Sequence, residues 1–290
     1  MPAKATRKRT QNARITKRTP RQKDHKLQRR LVTFLLALVV ICGVGVVGLR
    51  ATALNEDFTT QTLSTGDNLT QIESQIQKAA GSSLTNIPGA STIVSRTISE
   101  DTTKALVSAA VTDVYSNTTA QIDFTKMDAA VRSALTSSAT GLAATLADSV
   151  ANSLLPELHS YFNTQLANQT QEARNELQDL KSDVNAVIVP LVVIAAVLLI
   201  WLLLVAGGLG RFLHNVGWSG LIGGVAGLAL TQVAMQLPQV TKLAAKAGDL
   251  QDVARSYMAA VVNHMSGYYL IAGGIGLALM LITIPLMRRR

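Results

Sequence analysis

Apolar residues fall into four dense blocks divided by polar stretches, instead of recurring at the helix or strand period of a soluble domain. The blocks are Leu31–Leu49, Ala186–Gly208, Ser219–Leu237 and Tyr268–Met287, and none contains a charged residue. About 20 apolar residues, rising 1.5 Å each, cross the hydrocarbon core of a bilayer. Each block therefore predicts a transmembrane helix. The fold class that follows is all-α, a polytopic membrane protein with four transmembrane helices. A helical extracytoplasmic domain is expected over 50–185, between the first and second spans. A short connection at 209–218 and an amphipathic segment at 238–267 complete the order.

Between the first two spans the spacing is helical rather than strand-like. Leu69, Ile72 and Ile76 share a helix face, and Gly81-Ser82-Ser83 and Pro88-Gly89 then punctuate the chain. A second helix is predicted over Glu100–Tyr115. A third starts at Thr125, where Phe124 and Asp128 resemble a hydrophobic staple and a capping box. Its apolar face continues through Ala129, Val131, Leu135, Leu142, Leu146 and Val150. Pro156 is expected to start or break a helix. From Leu158 to Asn185 there is neither Gly nor Pro, so one helix should run on into the second span. Along it Leu166, Ala173, Leu177, Leu180, Val184 and Val187 form an apolar seam suited to packing in an antiparallel bundle. Beyond the third span, Leu243, Ala247, Leu250, Ala254, Tyr257 and Val261 predict one amphipathic helix.

Charge then assigns the sides. Residues 1–30 hold twelve Lys/Arg and one acid, Asp24, and the sequence ends in three arginines. Residues 51–184 hold fifteen Asp/Glu against seven Lys/Arg. Lys and Arg concentrate on the cytoplasmic side of spans. Both termini are thus expected in the cytoplasm, with 50–185 and 238–267 outside a plasma membrane. The basic tail, lacking an apolar period, reads as disordered and attracted to anionic lipid. It implies no nucleic-acid partner. Ala51-Thr52-Ala53 resembles a signal-peptidase site, but the preceding apolar block is longer than a signal peptide needs. The span is expected to stay attached. A single cysteine, Cys42, excludes an intrachain disulfide in an exported domain. That favours a bacterium, of Gram-positive type, over a secreted eukaryotic chain.

Chemical motifs are scarce. Gly43-Val44-Gly45-Val46-Val47-Gly48 matches a dinucleotide fingerprint, but it lies inside a span, where no strand precedes it. The histidines His25, His159, His214 and His264 form no metal-binding pattern. No catalytic residue, metal or cofactor is expected. Asn68-Leu69-Thr70, Asn117-Thr118-Thr119 and Asn168-Gln169-Thr170 match the glycosylation pattern, as chance allows in so Ser/Thr/Asn-rich a stretch.

The informative positions are small. Gly220 and Gly224, Gly223 and Gly227, and Ala272 and Gly276 repeat every four residues in the third and fourth spans. Small residues at this spacing let helix backbones approach closely. They serve packing among the chain's own spans, or association with another copy or protein. Thr231 and Gln232 are the notable intramembrane polar pair. No ionisable residue lies deep in a span, which disfavours a coupled transporter. The leading expectation is a non-enzymatic scaffold or accessory protein of the cell envelope, binding a membrane or envelope partner through its helical domain. The alternatives are a component of a transport or pore-forming complex, and a sensor relaying an external signal to a separate partner.

Overall fold

The computed structural model describes residues 20–83, 94, 98–116, 124–137 and 142–288. Pro88-Gly89, Asn117-Thr118-Thr119 and the tail before residue 20 lie outside them, as do the side chains of Leu142, Leu146, Val150 and Leu166. Every regular element among the described residues is a helix. The helices are α1 (Pro20–Ala51), α2 (Glu56–Leu63), α3 (Gly66–Ser83), α4 (Glu100–Tyr115), α5 (Thr125–Ser137), α6 (Leu142–Ala206), α7 (Leu209–Gln236), α8 (Pro238–Lys246) and α9 (Gln251–Arg288). Four of them carry segments long and apolar enough to cross a membrane, namely Lys26–Ala51, Thr170–Ala206, Leu209–Gln236 and Gly248–Pro285.

Helix α1 begins eleven residues before the apolar block, within the tail expected to be disordered. Once a span is helical, each added turn gains hydrogen bonds without a new nucleation cost. Pro20 stands at its start, where its missing N–H costs nothing.

Helix α6 is 65 residues long, about 97 Å at the usual rise. Contrary to expectation, Pro156 lies within it and breaks nothing. The reason is which way it faces. Leu154, Leu155 and Leu158 are buried in the domain core, whereas Pro156 and Asn152 are exposed. The carbonyl of Asn152, deprived of its donor four residues on, therefore faces solvent rather than the core.

The domain core joins α3, α4, α5 and α6 through Ala80, Leu106, Met127, Val131, Leu154 and Phe162, together with Val94 and Ile98. Asn55 caps α2 through Phe58 N–H at 3.1 Å, and Ser99 caps α4 through Thr102 N–H at 3.4 Å. Glu100 and Asp101 add negative charge at the positive end of α4. Gly66, at φ +59°, makes the left-handed turn that lets α3 fold back after α2. In α5, Asp128 does more than the capping role its position suggests. Its carboxylate lies 2.7 Å from His159 Nε2 on α6, and Phe124 stacks on that imidazole at 4.1 Å.

The seam expected along α6 is rearranged. Ala173, Leu180 and Val187 are exposed, while Thr170, Arg174, Lys181 and the buried Val184 face the rest of the chain. The inward face is set by polar partners on α4, which the apolar spacing does not register.

Two connections also differ from expectation. Residues 209–218, read as a loop, are already helical, because Gly207 (φ +65°) and Gly208 complete the turn by themselves. Nor is the stretch from Leu243 to Val261 one helix. Gly248, at φ +57°, ends α8, and a 3-10 turn at Gly248–Leu250 leads into α9, which continues as the fourth span. This hairpin packs back on the domain, where Lys78 meets Asp249 at 3.3 Å and Gln75 donates to the Asp249 carbonyl. The domain and the 238–267 segment therefore sit at the same end of the spans.

Candidate functional site: the junction between domain and spans

The residues that tie the domain to the spans gather where α1 ends. Leu54 N–H returns to the Leu49 carbonyl at 2.9 Å, and Thr52, fully buried, donates its hydroxyl to Gly48 O at 2.7 Å. Ala51-Thr52-Ala53 is thus part of a closed turn. The Ala53 carbonyl accepts the hydroxyl of Tyr115, the last residue of α4. Thr59 of α2 sits between two phenols, with its hydroxyl 2.8 Å from Tyr115 and 2.9 Å from Tyr257 of α9. Thr112 donates to the Glu56 carboxylate at 2.7 Å. Phe58, His264 and Tyr268 add ring contacts at 5.3 Å and 5.6 Å. One side chain, Tyr115, thereby links the end of α4 to the turn after α1 and to α2.

Helix α6 joins through charge. Lys181 lies 5.0 Å over the Tyr115 ring and donates to its carbonyl at 3.3 Å. Two residues earlier on α4, Asp113 is buried. It receives the Thr170 hydroxyl at 2.8 Å and a guanidinium N–H of Arg174, while the Asp113 carbonyl accepts Arg174 Nε–H at 3.1 Å. At the membrane end Arg50 of α1 donates to the Asn185 side chain of α6. The arrangement is one of paired donors and acceptors that hold these elements in register. Among the described residues no group of His, Cys, Asp and Glu is placed to hold a metal.

Burial holds the Tyr115 phenol neutral, pushing its pKa well above the ordinary 10, with a smaller opposing effect of the Thr59 hydroxyl. A proton held more tightly in the folded state stabilises below the unfolded pKa and loses that contribution as pH rises past it. Stability should therefore fall above about pH 10. Tyr115→Phe should lower the thermal midpoint at pH 7 by leaving the Ala53 carbonyl without this donor, at about 1–3 kcal/mol. It should also flatten the alkaline decline. Unfolding followed by circular dichroism from pH 7 to 11 checks both, and an unchanged alkaline slope in the variant would refute the assignment.

The small residues singled out in the sequence lie along the antiparallel pair α7–α9. A Cβ on Gly220 would stand 3.2 Å from Gly276 Cα and 3.4 Å from the Ala272 carbonyl. One on Gly224 would meet Gly273 Cα at 2.6 Å, and one on Gly227 the Tyr269 ring at 2.1 Å. Gly223 turns the other way, toward Val40 and the Ala37 carbonyl of α1 at 2.8 Å and 3.1 Å. The six positions thus line helix contacts within this chain. Of the polar pair, Thr231 is buried and bonded to Ser266 of α9 at 3.1 Å, while Gln232 is exposed on the outside of α7. They do not converge.

Sequence reasoning missed the junction. One signal was available, because Asp113 follows Leu106 by seven residues and so shares the apolar face of α4. Its partner Arg174 lies 61 residues on, and no local pattern connects the two.

Fold and junction define a helical protein with four helices apolar enough to span a membrane and a helical domain fastened to them at one end. In comparisons with known proteins, no family model, no curated protein and no solved structure matches the chain.

Proposed function

We propose that the protein is a non-enzymatic scaffold or accessory protein of a bacterial plasma membrane, presenting its helical domain to an envelope partner at a fixed standing from the bilayer. The observation that carries this reading is α6. One unbroken helix supplies both the domain core, through Leu154, Leu155 and Leu158, and the second span. The junction around Tyr115 and Asp113 locks that helix to α1, α2, α4 and α9. A rigid mount of this kind suits presentation. Positive charge in the tail supports cytoplasmic termini and an external domain. The same continuity of α6 favours, as a second reading, a relay that carries a change in the domain to a partner of the spans.

The test combines topology with capture. In a Cys42→Ser background, Ser64→Cys should react with a membrane-impermeant maleimide in intact cells, and Lys26→Cys only after lysis. The full-length protein, crosslinked in native membranes and purified gently, should then carry a stoichiometric partner. The opposite labelling pattern would overturn the sidedness. Recovery of a homo-oligomer alone, with ion flux in liposomes, would replace the scaffold with the transport reading.

A further inference from the structure

On the domain side of the spans an open cleft of 430 Å³ lies between the turn joining α2 to α3 and the start of α9. Gln61, Thr62 and Thr65 line it from α2 and the turn, and Asp67 and Asn68 from the first turn of α3. Ser256 lines it from α9, ahead of the apolar block of the fourth span. Asn68 is the buried member of this lining, only 7% exposed, and so forms its floor.

The Asn68 side chain is held one way round. Its Nδ2 donates to the Thr62 carbonyl at 2.9 Å. A carbonyl takes only a donor, so the amide cannot be turned over, and Oδ1 stays on the side away from Thr62. That Oδ1 is buried and accepts no hydrogen bond from any described residue. Buried polar atoms are paired in all but a few places, and an unpaired acceptor at the bottom of a cleft points to a donor from outside the chain.

The rest of the lining also offers acceptors. The Thr62 hydroxyl gives its proton to the Phe58 carbonyl at 2.7 Å, and the Thr65 hydroxyl to the Gln61 carbonyl at 2.8 Å. Each hydroxyl oxygen then has only lone pairs left for a ligand. Asp67 is the one ionisable group in the lining, and no cation there pairs with it. It also offsets the positive end of α3, so an anion would meet this carboxylate before it met the helix. Gln61 and Ser256 can donate or accept. A ligand that suits this set carries positive charge and several N–H donors. A primary ammonium has both, with three donors on one atom and no acceptor. A neutral polyol brings donors without the charge, and a quaternary ammonium brings the charge without donors.

We propose that this cleft binds a primary ammonium group, with Asn68 Oδ1 as the innermost acceptor and the Asp67 carboxylate and the threonine oxygens around it. The ligand is an amine, either free in solution or carried on a phospholipid headgroup. The site stands whether or not the domain also has a protein partner.

The test uses the full-length protein in nanodiscs of phosphatidylcholine, whose headgroup has no N–H. Equilibrium dialysis against radiolabelled ethanolamine at neutral pH should show saturable binding. Choline and ethylene glycol should each compete about tenfold more weakly than unlabelled ethanolamine, because one lacks the N–H donors and the other the charge. Asp67→Asn and Asn68→Leu should each weaken binding about tenfold, equivalent to about 1.4 kcal/mol. Ala260→Trp, on the α9 wall, should abolish it. Asp67 is exposed, so its replacement leaves the fold intact even if Asn68→Leu, which removes the donor to the Thr62 carbonyl, does not. Changing the nanodisc lipid to phosphatidylethanolamine separates the two sources. Ethanolamine binding lost there puts the amine on a lipid headgroup, and binding unchanged leaves it in solution; either result upholds the site. No saturable binding, equal competition by choline, or binding that survives both Asp67→Asn and Ala260→Trp would overturn the proposal.

Discussion

Gly276→Ala is expected to destabilise the bundle by about 3 kcal/mol, the upper end of what overpacking costs. The added methyl would lie 2.4 Å from Leu221 N and 2.7 Å from the Gly217 carbonyl. Both are backbone atoms of α7, so no rotamer change makes room. The two helices must separate, and separation removes van der Waals contact along the whole seam from Gly217 to Thr231. Gly224→Ala should behave alike, because its methyl would meet Gly273 N and Cα, each at 2.6 Å. Gly274 supplies the control on the same helix. Nothing lies within 4 Å of a Cβ there, so Gly274→Ala should be neutral or gain up to about 1 kcal/mol of helix propensity. Thermal unfolding in detergent separates the cases. Equal midpoints for Gly276→Ala and Gly274→Ala would show that α7 and α9 do not touch as described.

Arg174→Ala should cost about 3 kcal/mol and loosen the domain from α6. Removing one partner of a buried pair leaves the other as an uncompensated charge, which costs about 3–5 kcal/mol. The lower figure applies because the Arg174 side chain is 24% exposed, whereas that of Asp113 is only 4% exposed. Arg174 also donates to the Asp113 carbonyl, so the substitution frees a backbone acceptor as well. Asp113→Ala alone should be severe too, since it leaves the Arg174 guanidinium without its carboxylate. The double variant should cost clearly less than the two single effects added, because neither charge is then left alone. Strict additivity would mean that the pair is not coupled. Protease sensitivity of the stretch from Thr170 to Asn185 should rise in parallel with the loss of midpoint.

Pro156 and the 238–267 segment mark where sequence reasoning stops. A proline reads locally as a breaker. Only the burial of Leu154, Leu155 and Leu158 on the opposite side shows why its lost hydrogen bond is tolerated. The amphipathic period from Leu243 to Val261 reads as one helix, yet Gly248 permits a left-handed turn that folds α8 against the start of α9. In both cases spacing was read correctly and the role of one residue was not, because that role depends on which side faces the core.

The sequence by itself determined the spans, the helical class, both ends of α4 and the start of α5, but it ran the α5 face on through Leu142, Leu146 and Val150, where α5 in fact ends at Ser137 and α6 begins at Leu142. A run of uncharged apolar residues has one stable form in hydrocarbon, the helix, whatever its neighbours are. The start of α5 and the continuity of 158–185 followed from local propensity in the same way. Tertiary structure alone decided which face of each helix is used. It paired Asp113 with Arg174 and gathered Thr59, Tyr115 and Tyr257 at one turn. It also set Gly223 against α1 while its neighbour Gly224 meets α9. Each of these joins residues far apart in the chain, and their meeting depends on helix rotations that a single helix's period leaves free.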